Sequence, residues 1–173
     1  NILLQVLYDG RLTDSQGRTV NFKNTIIIMT SNIGSPYLLE GIDDKGQISS
    51  QAREQVKQAL RASFRPEFLN RIDDIVMFKP LGKKEIAEII KMEISLISAR
   101  LKDRKISIEV DDRAINYIID QAYNPSYGAR PIKRYIQREV ETFLARKLLE
   151  GKIMDKDRIS VTEVDSKLKI VKK

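Results

Sequence analysis

The sequence predicts an α/β first part followed by an α+β second part, and three observations carry that prediction. The run Thr25-Ile26-Ile27-Ile28-Met29 is β-branched and apolar, as expected of a strand buried on both faces of a parallel sheet. A second run, Ile75-Val76-Met77-Phe78, has the same character. Pro80-Leu81-Gly82 then breaks the chain, and beyond it the apolar residues recur at helical spacing with short alternating stretches between. The expected domains are residues 1–79 and residues 80–173.

Taken in order, Ile2 to Leu7 reads as a helix end stopped by Asp9-Gly10. Residues 11–22 hold Thr13-Asp14-Ser15-Gln16-Gly17, a turn between two extended arms. The Thr25–Met29 strand leads into Thr30-Ser31-Asn32, at the strand end where open α/β sheets place ligand contacts. Residues 33–50, rich in Gly, Ser and Asp, read as a mobile loop. Gln51 to Ser63 is helical, and Pro66 starts a short turn through Glu67-Phe68-Leu69.

Past the break, Lys83 to Lys102 is a long amphipathic helix with Ile86, Ile90, Ile94 and Ile97 on one face. Ile106, Ile108 and Val110 alternate as a strand, and Asp111 caps a helix carrying Ala114, Ile115, Ile118 and Ile119. A loop over Tyr123 to Gly128 precedes a helix with Ile132, Tyr135, Ile136, Val140 and Leu144, which Gly151 ends. Ile159 and Val161, then Leu168 and Ile170, suggest a closing hairpin. The second part is therefore expected to pack three helices on a small β-sheet.

Composition removes several classes of chemistry. The 173 residues include neither Cys nor His, which excludes disulfides, thiolate catalysis, the usual zinc sites and His-based acid/base work. The net charge of +7 fits an anionic partner in principle, but the cations are scattered along helical faces and aromatic residues are only 6%. No nucleic-acid partner is expected. Apolar runs are too short to span a bilayer, and no membrane partner, metal site or signal peptide is expected. The chain starts at Asn1 inside a helix-like stretch, without Met, and reads as a piece cut from a larger protein.

A phosphate-binding loop needs Gly-x-x-x-x-Gly-Lys-Ser/Thr, because clustered N–H groups and one Lys cradle the phosphates. Gly41 and Gly46 have the glycine spacing, but Gln47 and Ile48 follow. The Ile26 strand ends in Thr-Ser-Asn rather than an acidic pair. Both halves of an ATP–Mg²⁺ grip are missing from this sequence. Three polar groups remain. The Asn32 amide could orient an attacking water or touch a terminal phosphate; it could equally form a turn. Arg71 could neutralise charge on a phosphoryl group in transfer, or be a surface arginine. Arg130, just ahead of Pro131 at a helix start, is held near exposed N–H donors, an anion-binding geometry; its alternative is a capping loop.

The order of these groups, with Thr30-Ser31-Asn32, then Arg65-Pro66-Glu67-Phe68-Leu69-Asn70-Arg71, then Tyr127-Gly128-Ala129-Arg130-Pro131-Ile132-Lys133-Arg134, resembles the AAA+ ATPases. The closest branch is the Clp/heat-shock disaggregases, and within it the second ATPase domain of the ClpB family. The opening, Leu3 to Val20, resembles the stretch that follows the acidic Walker B strand, with Tyr8 where that family usually carries Asp.

The resemblance implies that residues 1–79 are the C-terminal part of an AAA+ large subdomain and residues 80–173 the small lid subdomain. It implies Asn32 as sensor 1, Arg71 as an arginine finger acting on a neighbour's nucleotide, and Arg130 as sensor 2 reading an ATP phosphate from the lid. It further implies ATP/ADP with Mg²⁺ in the full-length protein, a homo-hexamer, unfolded or aggregated protein clients, the DnaK chaperone system as partner, and a cytoplasmic location. Phosphate loop, acidic strand and pore loops are expected upstream of Asn1. This chain alone is expected neither to bind nucleotide tightly nor to hydrolyse ATP.

Two alternatives stand beside this reading. One is the unfoldase subunit of a Clp protease, of ClpA or ClpC type, whose docking loop carries an apolar-Gly-Phe/Leu tripeptide. Here Glu40-Gly41-Ile42 is flanked by charge, so protease docking fits poorly. The other is a non-catalytic oligomerisation module.

Overall fold

Two units, Asn1–Lys79 and Pro80–Lys173, make up the chain in the computed structural model, which describes residues 2–43 and 46–173. In the first unit, helix α1 (Ile2–Asp9) buries Val6 and stops at Gly10, whose φ of 60° suits glycine. The Gly10 amide donates to the Val6 carbonyl at 2.9 Å. A hairpin follows, β1 (Arg11–Thr13) antiparallel to β2 (Thr19–Asn21), with Leu12 opposite Val20. Its turn is closed by the Asp14 carboxylate, which accepts from the Gln16 and Arg18 amides at 2.9 Å each. The Arg18 amide and then its guanidinium hold that carboxyl below its ordinary range.

Three helices complete this unit: α2 (Ser35–Glu40), α3 (Ser50–Ser63) and α4 (Pro66–Leu69). Ser49 caps α3 by accepting from the Ala52 amide at 3.2 Å. The segment read as a mobile loop thus contains α2, followed by an antiparallel bridge between Ile42 and Ile48 that buries Ile48. Asp44 and Lys45 of that segment, and Asn1, lie outside the described residues.

The parallel sheet expected for residues 1–79 does not form. Neither Ile26–Met29 nor Ile75–Phe78 is a strand, and β1–β2 is the only sheet of this unit among the described residues. Ile26 is 91% exposed, Ile28 83% and Phe78 81%. The physical reason is pairing. A buried parallel strand exists only when neighbours on both edges take its N–H and C=O groups, and no described segment pairs with either run. Propensity alone does not hold an isolated strand.

In the second unit the apolar pattern closes on itself. Helix α5 (Lys83–Arg100) begins where the Glu85 carboxylate accepts from the Gly82 amide at 3.0 Å, and it buries Ile86, Ile90, Ile94 and Ile97. After a 3₁₀ turn at Lys102–Arg104 come β3 (Ser107–Val110) and α6 (Asp112–Ala122). The Asp111 carboxylate caps α6 through the Ala114 amide at 2.8 Å and accepts from the Thr162 hydroxyl at 2.5 Å.

Helix α7 (Arg130–Ile136) runs through a π turn (Gln137–Glu141) into α8 (Thr142–Leu149). The Thr142 hydroxyl donates to the Gln137 carbonyl at 3.1 Å. Strands β4 (Arg158–Glu163) and β5 (Leu168–Lys172) finish the fold. The sheet order is β3-β4-β5, with Ile108 beside Ile159 in the parallel pair and Val161 beside Ile170 in the antiparallel pair. Ile159, Ser160 and Val161 of the central strand are buried, and α5, α6, α7 and α8 all contribute to one continuous core. Among the described residues no helix is long and apolar enough to cross a membrane.

Candidate functional site

Asn32 is exposed, at the end of the irregular segment that follows β2. Its backbone carbonyl accepts from the Ser35 amide at 3.1 Å and the Ser35 hydroxyl at 2.7 Å. Gly34, with φ of 78°, follows in the same turn. A Cβ at Gly34 would come within 2.9 Å of Val56 Cγ2 and 3.2 Å of Val56 Cα. Only glycine lets this turn approach α3 so closely, and that approach fixes the Asn32 backbone. Its side-chain amide makes no hydrogen bond among the described residues, so both its donor and its acceptor are available.

Arg71 leaves α4 through Asn70, and its amide donates to the Phe68 carbonyl at 3.1 Å. Phe68 is buried and stacks on Phe64, ring centroids 5.0 Å apart. This aromatic pair anchors an otherwise short helix and so fixes where Arg71 emerges. The Arg71 guanidinium lies over the Tyr8 ring, Cζ 3.6 Å from the centroid. No ion pair with a carboxylate is formed by Arg71 among the described residues. Nor do Asn32 and Arg71 touch each other through a hydrogen bond.

Arg130 opens α7 after a loop built on Asn124, whose carbonyl accepts from the Tyr127 and Gly128 amides at 3.1 Å each. Gly128 has φ of 60°, and Pro131 fits the first helical turn that follows. The Tyr123 hydroxyl, at the loop's start, donates to the Leu81 carbonyl. Arg130 lines a shallow cavity of 590 Å³ together with Tyr127, Arg134, Tyr135 and Arg138.

Arg130, Arg134 and Arg138 are four residues apart and therefore share one helical face. Arg138 is engaged, with Nε donating to Glu139 at 2.7 Å and Cζ 5.5 Å from the Tyr135 centroid. Arg130 and Arg134 form no ion pair among the described residues. Like charges at this spacing repel, so an anion lodged between them is favoured. Burial first, then the neighbouring Tyr117, pushes the Tyr135 hydroxyl up to about 12. It stays a neutral phenol near pH 7 and adds no negative charge to the cavity wall.

Arg130 and Arg134 offer positive charge and N–H donors of the kind that suits an anion. Among the described residues no group of three acidic or other metal-ligating side chains gathers. Sequence reasoning singled out Arg130 but passed over Arg134 and Arg138, although their four-residue spacing was a usable signal. Tyr8 stood out only as a departure from the family's usual Asp, and no local signal pointed to its contact with Arg71.

The model of the AAA domain (Cdc48 subfamily) matches residues 1–75, and that of the C-terminal, D2-small domain of ClpB protein matches residues 81–161. The Chaperone protein ClpB of Nitratidesulfovibrio vulgaris is 54% identical over 168 residues, covering 97% of this chain and 19% of that protein. The Chaperone protein ClpB of Bacillus cereus is 52% identical over the same length, with the same coverage of each chain. That of Meiothermus ruber is 52% identical over 155 residues, 90% of this chain and 18% of the relative. The chain thus spans about a fifth of the length of the curated relatives it matches. A match to an AAA domain followed by a match to a ClpB D2-small domain defines the class as AAA+. Within that class the chain belongs to the ClpB family.

Proposed function

We propose that this chain is the nucleotide-sensing and subunit-contacting part of an ATP-driven protein disaggregase. Residues 1–79 are read as the C-terminal part of an AAA+ large subdomain and residues 80–173 as its small lid. ATP with Mg²⁺, bound by the complete protein, supplies the phosphoryl group whose transfer to water drives the cycle. Asn32, with its amide unengaged, orients water or the terminal phosphate as sensor 1. Arg71 acts in trans, placing a positive charge on a nucleotide bound by the neighbouring subunit. Arg130 reads the nucleotide's phosphate from the lid as sensor 2, and Arg134 on the same face adds a second charge. The complete protein is a cytoplasmic homo-hexamer that threads aggregated polypeptides through its ring and works with the DnaK system.

The observation that carries this reading is the cavity at Arg130 and Arg134, two unpaired cations on one helical face within the match to the ClpB small domain. The Clp-protease alternative has less support, because Ile42 of the flanked Gly41-Ile42 pair is bridged to Ile48. The test is steady-state ATP hydrolysis by the complete ATPase carrying Arg130→Ala. Turnover is expected to fall on the order of 100-fold, the usual loss for one removed transition-state donor. Parental kcat and KM would overturn the role of Arg130. The chain by itself is expected to show no hydrolysis; Mg²⁺-dependent turnover by it that vanished in Arg130→Ala would refute that expectation.

A further inference from the structure

Arg71 has carboxylates close by in sequence, at Glu67, Asp73 and Asp74, and Asp9 adjoins its aromatic partner. It nevertheless forms no ion pair among the described residues and lies instead on the face of Tyr8, 3.6 Å from the ring centroid. The two kinds of partner have different consequences. A carboxylate binds a guanidinium edge-on, takes two of its five N–H donors and cancels its charge. An aromatic ring takes the flat face and leaves every donor and the full charge available.

We propose that Tyr8 is a positioning residue for Arg71, holding the guanidinium flat on its ring so that the N–H edge stays free for a phosphoryl oxygen. The inference rests on the reading of Arg71 as a finger. Both ends of the contact are fixed by structure. Tyr8 stands on α1, which is anchored by buried Val6, and Arg71 emerges from α4, which is anchored by Phe68 stacked on Phe64. Tyr8 is about half exposed, so the stack lies open to solvent on one side and a ligand can reach the guanidinium edge without opening a core. Because the ring interacts through its face, its hydroxyl is dispensable for this role.

Two measurements test the proposal. In this chain, NMR should find the Arg71 side-chain protons shifted upfield by the Tyr8 ring current. That shift should vanish in Tyr8→Leu and return in Tyr8→Phe. An unshifted Arg71 in the parent chain would overturn the contact itself. In the complete ATPase, Tyr8→Leu should lower kcat about two- to five-fold, the range of an exposed cation–π contact, with KM for ATP unchanged. Tyr8→Phe should rescue that loss, and Tyr8→Leu added to Arg71→Ala should cost nothing more. A parental rate for Arg71→Ala would sink the finger reading whatever Tyr8 does. A large loss in Arg71→Ala beside a parental rate in Tyr8→Leu would sink the positioning role alone.

Discussion

The two units of this chain use similar amounts of apolar sequence to different effect. In Pro80–Lys173, isoleucines from α5, α6 and α7 meet β4 in one core, and Ile86, Ile118, Ile132 and Val161 are wholly buried. In Asn1–Lys79 the buried apolar residues are few, chiefly Val6, Ile48, Ala52, Val56 and Phe68, while two β-branched runs stay in solvent. The difference is one of partners rather than of hydrophobicity. A helix satisfies its own backbone and needs only a surface on which to lay its stripe; a parallel strand needs its neighbours first. The second unit is built from elements of the first kind, with its small sheet completed by strands the same unit supplies.

Hydrogen exchange offers the largest contrast. Amides of β4, such as Ile159 and Val161, are expected to exchange on the order of 1,000-fold more slowly than those of Ile26 to Met29, because the former open only with the whole core. Comparable protection in the two places would mean that the Ile26 run is paired, and the comparison would break.

Truncation of core side chains gives the next largest effect. Ile118→Ala should cost about 2–5 kcal/mol in denaturant unfolding, as a fully buried isoleucine leaving a cavity. The same change at Ile26 should stay within about 0.5 kcal/mol. Equal costs would place a hidden core in the first unit.

The smallest expected effect sharpens the account of the second unit. Asp111→Ala removes the cap of α6 and the tie to Thr162, and should cost about 1 kcal/mol. Burial pushes the Asp111 carboxyl up, but hydrogen bonds from Thr162 and the Ala114 amide, with the charge and amide of Arg113, outweigh it, and the group ends below its ordinary value of 3.8. Its contribution is therefore present above that value and is lost as pH falls through the lower folded value. Acid titration of stability should show this loss in the parent and a flatter profile in Asp111→Asn. An unchanged profile would show that Asp111 does not titrate with folding.

Much of the second unit was legible in the sequence because its signals are local. The isoleucine spacing of α5, the Asp111 cap, the alternation of Ile106 to Val110 and the stop at Gly151 each state their own structure. The hairpin around Asp14 was legible for the same reason. Ile26–Met29 and Ile75–Phe78 misled because a strand's propensity is written in its own residues and its pairing is not. The π turn was not foreseen either, since its cause lies in the packing of the whole helix.

The candidate residues divide along the same line. Arg130 could be placed at a helix start from Gly128 and Pro131, and Arg134 could have been added by counting one turn. The Tyr8–Arg71 stack joins positions far apart in the chain, and no local pattern announces it. The glycine that fixes Asn32 was visible as a residue, but its closeness to Val56 was not.

The π turn has a mechanical consequence. Ile132, Ile136, Val140 and Leu144 are all buried, at strict steps of four, although in a straight α-helix each such step overshoots the last by about 40°. The wider turn at Gln137–Glu141 takes up the surplus and brings Leu144 back into line. Arg130, Arg134 and Arg138 keep the same step of four on the cavity side. The two rows are thereby phase-locked on one shaft: twisting the arginines about the helix axis would unseat the isoleucines. Any rearrangement at Arg130 that turns this helix is therefore coupled to repacking of buried Ile132 and Ile136.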